Sequence, residues 1–229
     1  MTKRSYGQFC GLAKALDIVG ERWTMLIVRD LALGPQRYTD LLAGLPGIGT
    51  GLLAQRLHAL EEAGLARRGE LPAPASVPVW ELTDEGRELA DALLPLSVWG
   101  AKRLGRRRRG ELFRGDWLLR TLWANFSPDA ARGVRDVYEF RVEGETVHVV
   151  VDDATMDVRR GPAPVPPDLV VTTDIATLLD VGVGRLDPRE ARASGRTIVD
   201  GPPEVLRRCM EILGPRRTEV AGSRPQRGR

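Results

Sequence analysis

The first hundred residues carry apolar side chains three or four positions apart, in runs that glycine and proline interrupt. Side chains at this spacing lie on one face of a helix, so the pattern predicts amphipathic helices. Four helices are predicted before Gly64, and a fifth after Thr83, whose hydroxyl is expected to cap it. The repeating faces of the five helices are Leu12, Ala15, Leu16 and Val19; Trp23, Leu26, Ile27, Asp30 and Leu31; Tyr38, Leu41, Leu42 and Leu45; Leu52, Leu53, Leu57 and Leu60; and Leu89, Leu93, Leu96 and Trp99.

A tight turn separates the third predicted helix from the fourth. Its sequence is Pro46-Gly47-Ile48-Gly49, and two short helices joined in this way form a helix-turn-helix. Two predicted strands, over residues 65–68 and 77–82, follow with prolines between them. A hairpin directly after a helix-turn-helix is a wing, so residues 1–104 are predicted to form a winged helix domain.

A second pattern begins after residue 111, where a helical stretch is followed, after about Asp136, by short alternating strands between turns. Alternation of apolar and polar residues is typical of strands with one buried face. The order of the elements predicts an α+β domain over residues 112–214. The expected elements are a helix over 112–126, strands over 137–142, 147–151, 169–173 and 195–199, and helices over 174–181 and up to Leu213.

Two segments lack any such pattern. Residues 105–111 combine glycine with the run Arg106–Arg109 and are predicted to be a basic linker. Residues 215–229 contain glycine, proline and arginine without apolar periodicity and are predicted to be a disordered basic tail. Outside the arginine run the charges balance, since residues 1–105 carry twelve basic and twelve acidic side chains. The net charge of +3 is therefore weak evidence for a nucleic-acid partner.

The rest of the composition narrows the class of protein. With two cysteines and two histidines, neither a disulfide framework nor a metal site is expected. The sequence contains no G-x-S-x-G, H-E-x-x-H or G-x-G-x-x-G motif, so we predict neither enzymatic activity nor a cofactor. Its apolar stretches fall well short of the roughly 18 residues that span a membrane, and no signal peptide is visible. We therefore expect a cytoplasmic protein without a membrane partner.

Several short motifs occur in a fixed order between residues 8 and 101. They are Cys10, Ala15-Leu16-Asp17-Ile18-Val19-Gly20, Arg22-Trp23-Thr24, Leu33-Gly34-Pro35, Arg37-Tyr38, Leu53-x-Gln55-Arg56-Leu57-x-x-Leu60-x-x-x-Gly64-Leu65, Trp80-Glu81-Leu82-Thr83, Gly86 and Trp99-Gly100. Together they resemble the opening of the HxlR family of bacterial transcription regulators. The resemblance implies a dimeric winged-helix repressor or activator that binds double-stranded DNA, with the terminal helices forming the dimer. The expected interface residues on those helices are Leu12, Leu16, Leu89, Leu93, Leu96 and Trp99.

The fourth predicted helix is expected to read DNA. At about 100° per residue, its leucine stripe centres opposite Gly51, Gln55, His58 and Glu62, which are predicted to face outward. The N-terminal part of such a helix enters the major groove, and Gln55 is the preferred base-reading residue because its amide can pair with adenine. The candidate DNA contacts on this helix, before the third helix and on the wing are Arg37, Thr50, Gly51, Gln55, Arg56, His58, Arg67 and Arg68.

Some of these candidates have alternatives. Arg56 lies beside the leucine stripe, so it either braces the fold or reaches a phosphate. The arginines outside the fourth helix can bind phosphates or simply be solvated. Similar proteins usually carry a polar or charged residue near Gly49 and Gly51, so glycine at both positions weakens base recognition at the start of the helix.

Cys10 immediately precedes the first predicted helix, and a helix N-terminus favours the thiolate form of a cysteine. Several HxlR-type regulators carry a thiol here that senses oxidants or electrophiles, so the resemblance makes Cys10 a candidate redox site. The alternative is a structural or incidental cysteine. Cys209, in the last predicted helix, is expected to pack in the core.

The second domain shows its own ordered set of motifs. They are a helix after Asp174, the run Gly184-Arg185-Leu186-Asp187-Pro188, a strand at Gly195-Arg196 and a helix after Gly201-Pro202. This order resembles the sterol-carrier type of domain and implies an apolar tunnel for a hydrophobic small molecule. The candidate pocket residues are Trp117, Trp123 and Phe126, although aromatic side chains at helical spacing also pack in cores. A domain that only supports dimerisation or solubility is the alternative.

These features together predict a homodimeric transcription regulator, expected to act as a repressor, whose C-terminal domain senses a hydrophobic effector. Two-fold symmetry predicts a pseudo-palindromic operator with half-sites about 34 Å apart. Two alternatives remain. One is a small-molecule carrier in which the second domain is the working part, and the other is a thiol-based sensor that uses Cys10.

Overall fold

The chain folds into two compact units, Met1–Gly100 and Ala101–Arg229. The computed structural model describes residues 5–72, 74, 76–105 and 108–214, and of Ala124 only the backbone. Arg106 and Arg107 of the predicted linker and the predicted tail 215–229 lie outside the described residues. Among the residues described, no helix combines the length and apolar character that a membrane span requires.

The N-terminal unit is a winged helix, as predicted. Its elements are α1 Gly11–Val19, α2 Thr24–Leu31, α3 Tyr38–Gly44, α4 Thr50–Glu62, β1 Ala66–Glu70, β2 Pro78–Leu82 and α5 Asp84–Ala101. The antiparallel strands β1 and β2 form the wing. Gln36, ahead of α3, adds a bridge to Trp80 through two backbone hydrogen bonds of 2.9 and 2.8 Å.

The core of the N-terminal unit forms where the repeating helical faces meet. Leu53, Leu57 and Leu60 of α4 are buried, and they share the core with Ile27 of α2 and Leu41 of α3. Because the leucines occupy one side of α4, the opposite side is left to polar residues.

The start of α5 is fixed by two close contacts. The Thr83 hydroxyl accepts a hydrogen bond of 3.1 Å from the Gly86 N–H and donates one of 2.6 Å to the Gly64 carbonyl, so Thr83 caps the helix as predicted. Gly86 passes so close to the Leu65 carbonyl that an added Cβ would overlap it. This contact explains why glycine is required there and holds α5 against the end of the helix-turn-helix.

The C-terminal unit is an α+β fold, as predicted. Its elements are α6 Gly115–Asn125, β3 Arg135–Val142, β4 Glu145–Asp152, β5 Thr155–Arg160, β6 Leu169–Thr173, α7 Ile175–Gly182, α8 Pro188–Ala193, β7 Thr197–Asp200 and α9 Pro203–Leu213. The five strands form one sheet in the order β5-β4-β3-β6-β7. β3 and β6 are parallel, and the other neighbouring strands are antiparallel.

The two faces of this sheet are covered differently. On one face, Tyr138 and Phe140 of β3 share a core with Leu118 of α6, Ile175 of α7 and Ile212 of α9. Glu139 points to the other face because side chains alternate along a strand. The proline-rich segment 161–168 crosses that face. It starts at β5, on the edge of the sheet, passes over β4 and β3, and leads into β6.

Two elements of this unit were not expected. β5 has only two buried apolar residues, Met156 and Val158, between charged neighbours, which is a weak signal for a strand at a sheet edge. α8 spans six residues, too few to show a helical period. The Asp187-Pro188 pair is the local signal for α8, since Asp187 caps it by accepting a 2.7 Å bond from the Arg189 N–H.

Candidate nucleic-acid interface

α4 presents its polar side to solvent. Gly51, Gln55, His58 and Glu62 are exposed, which is the side opposite the leucine stripe. The helix is 13 residues long, and Thr50, Gly51 and Gln55 of its first two turns are exposed on this side. This geometry suits a helix that inserts into a groove.

The start of α4 is bonded to the start of α3 and left open. The Tyr38 hydroxyl donates a hydrogen bond of 2.6 Å to the Thr50 carbonyl, which joins the starts of α3 and α4. Gly49 precedes the helix in an extended conformation, and no side chain caps its first N–H groups. At Gly49 and Gly51 an added Cβ would meet nothing within 4 Å. The exposed backbone can therefore approach an anionic partner closely.

Arg56 does not share this exposed surface. Its side chain is only 15% exposed, and its Nη2 donates a 2.9 Å bond to the Glu21 carboxylate. Its Nε donates a 3.3 Å bond to the Arg22 carbonyl. Both partners belong to the turn between α1 and α2, so the geometry favours the bracing alternative for Arg56.

His58 lies between two acidic side chains of its own helix. Its Nδ1 is 3.4 Å from Glu61 Oε2, and its Nε2 is 3.3 Å from Glu62 Oε1. A phosphate at this position would meet both carboxylates. The C-terminal half of α4 is thus less suited to DNA than the N-terminal half.

The two wing arginines are both paired and exposed. Across the hairpin, Arg67 Nε donates a 2.7 Å bond to Glu81. Arg68 stacks on the Trp80 ring, 5.0 Å from its centroid, and its Nε lies 3.5 Å from Glu61. Exposed ion pairs are worth little in water, so these guanidinium groups can exchange a carboxylate for a phosphate.

Arg37 is placed where α3 begins and is exposed. In the part of the chain that the structure describes, its guanidinium has no ion pair. Its neighbour Tyr38 bonds to Thr50 at the start of α4. Of the predicted contacts, Arg37, Thr50, Gly51 and Gln55 are exposed, whereas Arg56 is turned inward.

The positioning roles of Glu21, Tyr38 and Trp80 were not foreseen. Glu21 receives Arg56, Tyr38 holds Thr50 and Trp80 supports Arg68. Each contact joins residues more than ten positions apart, so no local spacing signals it.

The two cysteines occupy opposite environments. Cys10 is exposed at the N-cap of α1, where the Ala13 and Leu12 N–H groups of the helix start lower the pKa of its thiol. Cys209 is buried in the C-terminal core, and burial raises the pKa of its thiol to about 12. Cys10 is therefore chemically available, and Cys209 packs in the core.

The predicted dimer residues form two groups. Leu12, Leu96 and Trp99 are 69, 49 and 53% exposed. Leu89 and Leu93 pack partly against the core of their own unit, and Leu16 is half-buried. Large apolar side chains exposed on two helices are typical of an interaction surface.

The predicted pocket residues do not share one environment. Phe126 is part of the packed core, whereas Trp123 is 50% exposed and Trp117 is half-buried. The Trp123 and Phe126 rings meet edge to face, with centroids 6.4 Å apart. Within the described residues, no group of three or more His, Cys, Asp or Glu side chains could hold a metal ion.

An ion pair with a buried carboxylate joins α9 to β3 in the C-terminal unit. Arg208 donates two bonds of 2.9 Å to the Asp136 carboxylate. The Tyr138 hydroxyl donates a third, of 2.8 Å, and burial raises the pKa of that hydroxyl. Asp136 is thus fully engaged in holding the fold.

A winged helix with an open, exposed recognition helix defines a DNA-binding protein of the helix-turn-helix class. Residues 18–108 match the family model of the HxlR-like helix-turn-helix, and residues 119–214 match that of the SCP-2 sterol transfer family. The chain belongs to the HxlR-like helix-turn-helix family and carries a C-terminal domain of the SCP-2 type. Both resemblances seen in the sequence are confirmed.

Several similar proteins are named as helix-turn-helix transcriptional regulators. The uncharacterized regulator YvaP of Bacillus subtilis is 37% identical over 89 residues, which cover 39% of this chain and 82% of the relative. An uncharacterized regulator of Mycobacterium tuberculosis is 37% identical over 106 residues, 46% of this chain and 65% of the relative, just under two thirds of its length. A solved structure of the reduced form of YodB from Bacillus subtilis is 26% identical with a TM-score of 0.37, and covers 44% of this chain and 100% of its own.

Proposed function

We propose that this protein is a cytoplasmic, homodimeric transcription regulator that represses its targets by binding a pseudo-palindromic operator. The observation that carries the proposal is the open start of α4, where Thr50, Gly51 and Gln55 are exposed and Thr50 bonds to Tyr38, the neighbour of the exposed Arg37. Relatives that share this domain are named transcriptional regulators. In helix-turn-helix proteins this end of the second helix enters the major groove.

These exposed residues have distinct roles in the proposal. Gln55 reads a base edge, because a carboxamide can pair with adenine through two hydrogen bonds. The uncapped N–H groups near Gly51 bind a phosphate, and the absence of a Cβ lets the backbone come close. Arg37 binds a neighbouring phosphate, and Arg67 and Arg68 bind phosphates beside the wing.

Two copies pair through α1 and α5. The exposed Leu12, Leu96 and Trp99 are buried when a second copy packs on them, and Leu16, Leu89 and Leu93 complete the surface. A two-fold axis between the copies sets two recognition helices about 34 Å apart, roughly one turn of DNA. This symmetry is the reason for a pseudo-palindromic operator.

Selection of bound genomic fragments by the full-length protein, at two salt concentrations, tests DNA recognition. We expect a shared pseudo-palindrome that survives the higher salt. Gln55→Ala should lower affinity for it at least tenfold and relax the preference at one position of each half-site. Gln8→Ala makes the same chemical change at an exposed residue outside the helix-turn-helix, and this variant should bind like wild type. Sequence-blind, salt-sensitive retention would contradict the proposal.

The C-terminal domain is proposed to bind a hydrophobic effector. A ligand changes DNA affinity only if it binds the two conformations of the dimer unequally. Titration of the full-length protein with a fluorescent fatty acid, with and without operator, tests this. An affinity that shifts with operator supports an effector role, whereas tight binding indifferent to DNA supports the carrier alternative.

A second candidate function is thiol sensing, favoured by the exposed Cys10 and its lowered pKa. A thiolate at neutral pH reacts with oxidants and electrophiles. Operator release on treatment with diamide should occur in wild type and be abolished in Cys10→Ser. A response that persists in Cys10→Ser would exclude this role.

A further inference from the structure

The turn between α1 and α2 has an unfavourable backbone conformation. Trp23, which precedes α2, has a φ of 80°. This value lies in the left-handed region, which residues other than glycine rarely adopt. Such a conformation persists only where the surroundings determine it. The contacts of this turn therefore indicate which parts of the unit hold it in place.

The turn is held by a contact of its own residues and by contacts with the helix-turn-helix. The Arg22 guanidinium lies 5.2 Å from the centroid of the Trp23 ring. The edge of that ring reaches Gly47, in the turn before α4, within 3.8 Å of where a Cβ would stand. Arg56 of α4 then donates to the Arg22 carbonyl and to the Glu21 carboxylate.

We propose that Arg56 is a positioning residue, which sets the recognition helix on the Glu21–Trp23 turn and does not contact DNA. The proposal rests on the DNA-binding function proposed above. Two of the guanidinium nitrogens of Arg56 donate to the turn, and the side chain is 15% exposed. Operator affinity consequently depends on where α1 and its turn lie, and Arg56 transmits a displacement of α1 to α4.

Substitution of Glu21 distinguishes a positioning role of Arg56 from a phosphate contact, because the two roles predict opposite changes in DNA affinity. The Glu21 carboxylate is 67% exposed and carries a negative charge close to the recognition helix. If Arg56 bound a phosphate, Glu21→Gln would release Arg56, remove a repulsive charge and tighten DNA binding. If Arg56 positions α4, the same substitution weakens binding.

The test measures operator affinity and its salt dependence for full-length wild type, Arg56→Lys, Glu21→Gln and the double variant. Lysine keeps the charge but cannot reproduce two donations from a planar group, so it should not rescue positioning. We expect each single variant to bind at least fivefold more weakly, the double variant to bind no more weakly than the weaker single, and the salt slope to stay unchanged. The control, Glu88→Gln, removes another exposed negative charge of this unit and should not weaken binding.

Other outcomes overturn the proposal. Wild-type affinity in Arg56→Lys, tighter binding in Glu21→Gln, or a salt slope that falls by about 0.9 in Arg56→Ala would each identify Arg56 as a phosphate ligand. Hydrogen exchange provides a readout without DNA, since amide exchange at residues 20–24 should rise in Arg56→Lys and stay at the wild-type rate in Glu88→Gln. If wild type binds no specific DNA, the proposed function fails, whereas unchanged exchange in Arg56→Lys refutes positioning itself.

Discussion

The arginine–carboxylate pair between α9 and β3 of the C-terminal unit differs from the pairs on the wing of the N-terminal unit. In the C-terminal unit Arg208 pairs with Asp136, whose side chain is 8% exposed. On the wing of the N-terminal unit, Arg67 and Arg68 pair with carboxylates that stay in contact with water, since Glu81 is 28% and Glu61 34% exposed. A buried carboxylate that loses its partner keeps its desolvation cost, whereas an exposed one is solvated again. Burial therefore separates the arginines that hold a fold from those that can exchange partners.

The largest difference between the two units is expected in the alkylation rates of their cysteines. At pH 8 a thiol with a pKa of about 12 is ionised in only about one molecule in ten thousand, so Cys209 should resist alkylation in the native protein. Cys10, exposed and with a lowered pKa, should react with iodoacetamide faster by a factor on the order of a thousand. Mass spectrometry of labelled peptides measures both rates. Equal rates in native protein, before any urea is added, would contradict the burial of Cys209.

Breaking the buried pair should strongly destabilise the C-terminal unit. Arg208→Met leaves the Asp136 carboxylate buried and bound only by Tyr138, at an expected cost of about 3 kcal/mol in the free energy of unfolding. Arg207→Met is the matched control, because the neighbouring Arg207–Glu211 pair is exposed and should contribute less than about 1 kcal/mol. Urea unfolding, monitored through hydrogen exchange of the β3 amides, separates the two variants. Similar losses in both would mean that burial does not decide the contribution.

Acid should weaken the contact between the sheet and the segment 161–168. Burial alone would raise the pKa of Glu139, but the Ala163 N–H and Arg141 lower it below its ordinary value. A carboxylate with a lowered pKa in the folded state stabilises above its unfolded pKa, and that stability disappears as the pH falls through the folded pKa. Glu139→Gln should therefore lose about 1 kcal/mol of stability at pH 7 and nothing in strong acid.

The measurement for Glu139 is urea unfolding from pH 7 to pH 3. Glu190→Gln changes an exposed carboxylate on α8 and is the control, expected to follow wild type. A Glu139→Gln curve that runs parallel to wild type at every pH would show that the Ala163 contact contributes nothing to this pH dependence.

The smallest effect is expected on the wing. Arg67→Met removes the exposed pair with Glu81 and should change the free energy of unfolding by less than about 0.5 kcal/mol. If Arg67 binds a phosphate as proposed, the same variant weakens operator binding and lowers its salt slope by about 0.9 for each phosphate left without its arginine. A clear loss of stability with an unchanged slope would assign Arg67 to the fold and not to DNA.

Much of the secondary structure could be predicted from interactions between residues close together in the sequence. The helices of the N-terminal unit follow from apolar spacing, and the cap at Thr83 follows from its hydroxyl, because both depend on neighbours within one or two turns. Which side of α4 faces outward could also be predicted from local sequence, since the leucine stripe determines it. β5 and α8 were missed because an edge strand with charged residues and a six-residue helix carry little periodic signal.

The sequence alone determined the succession of elements, the two families and the residues available on the recognition helix. Only the tertiary structure decided how the arginines are used, because their partners lie far away in the chain. Arg56 turns toward Glu21, Arg68 stacks on Trp80, and the segment 161–168 covers Glu139. Periodicity records which side of a helix or strand is apolar, whereas an ion pair or a covered carboxylate depends on which distant elements the fold brings within hydrogen-bond reach.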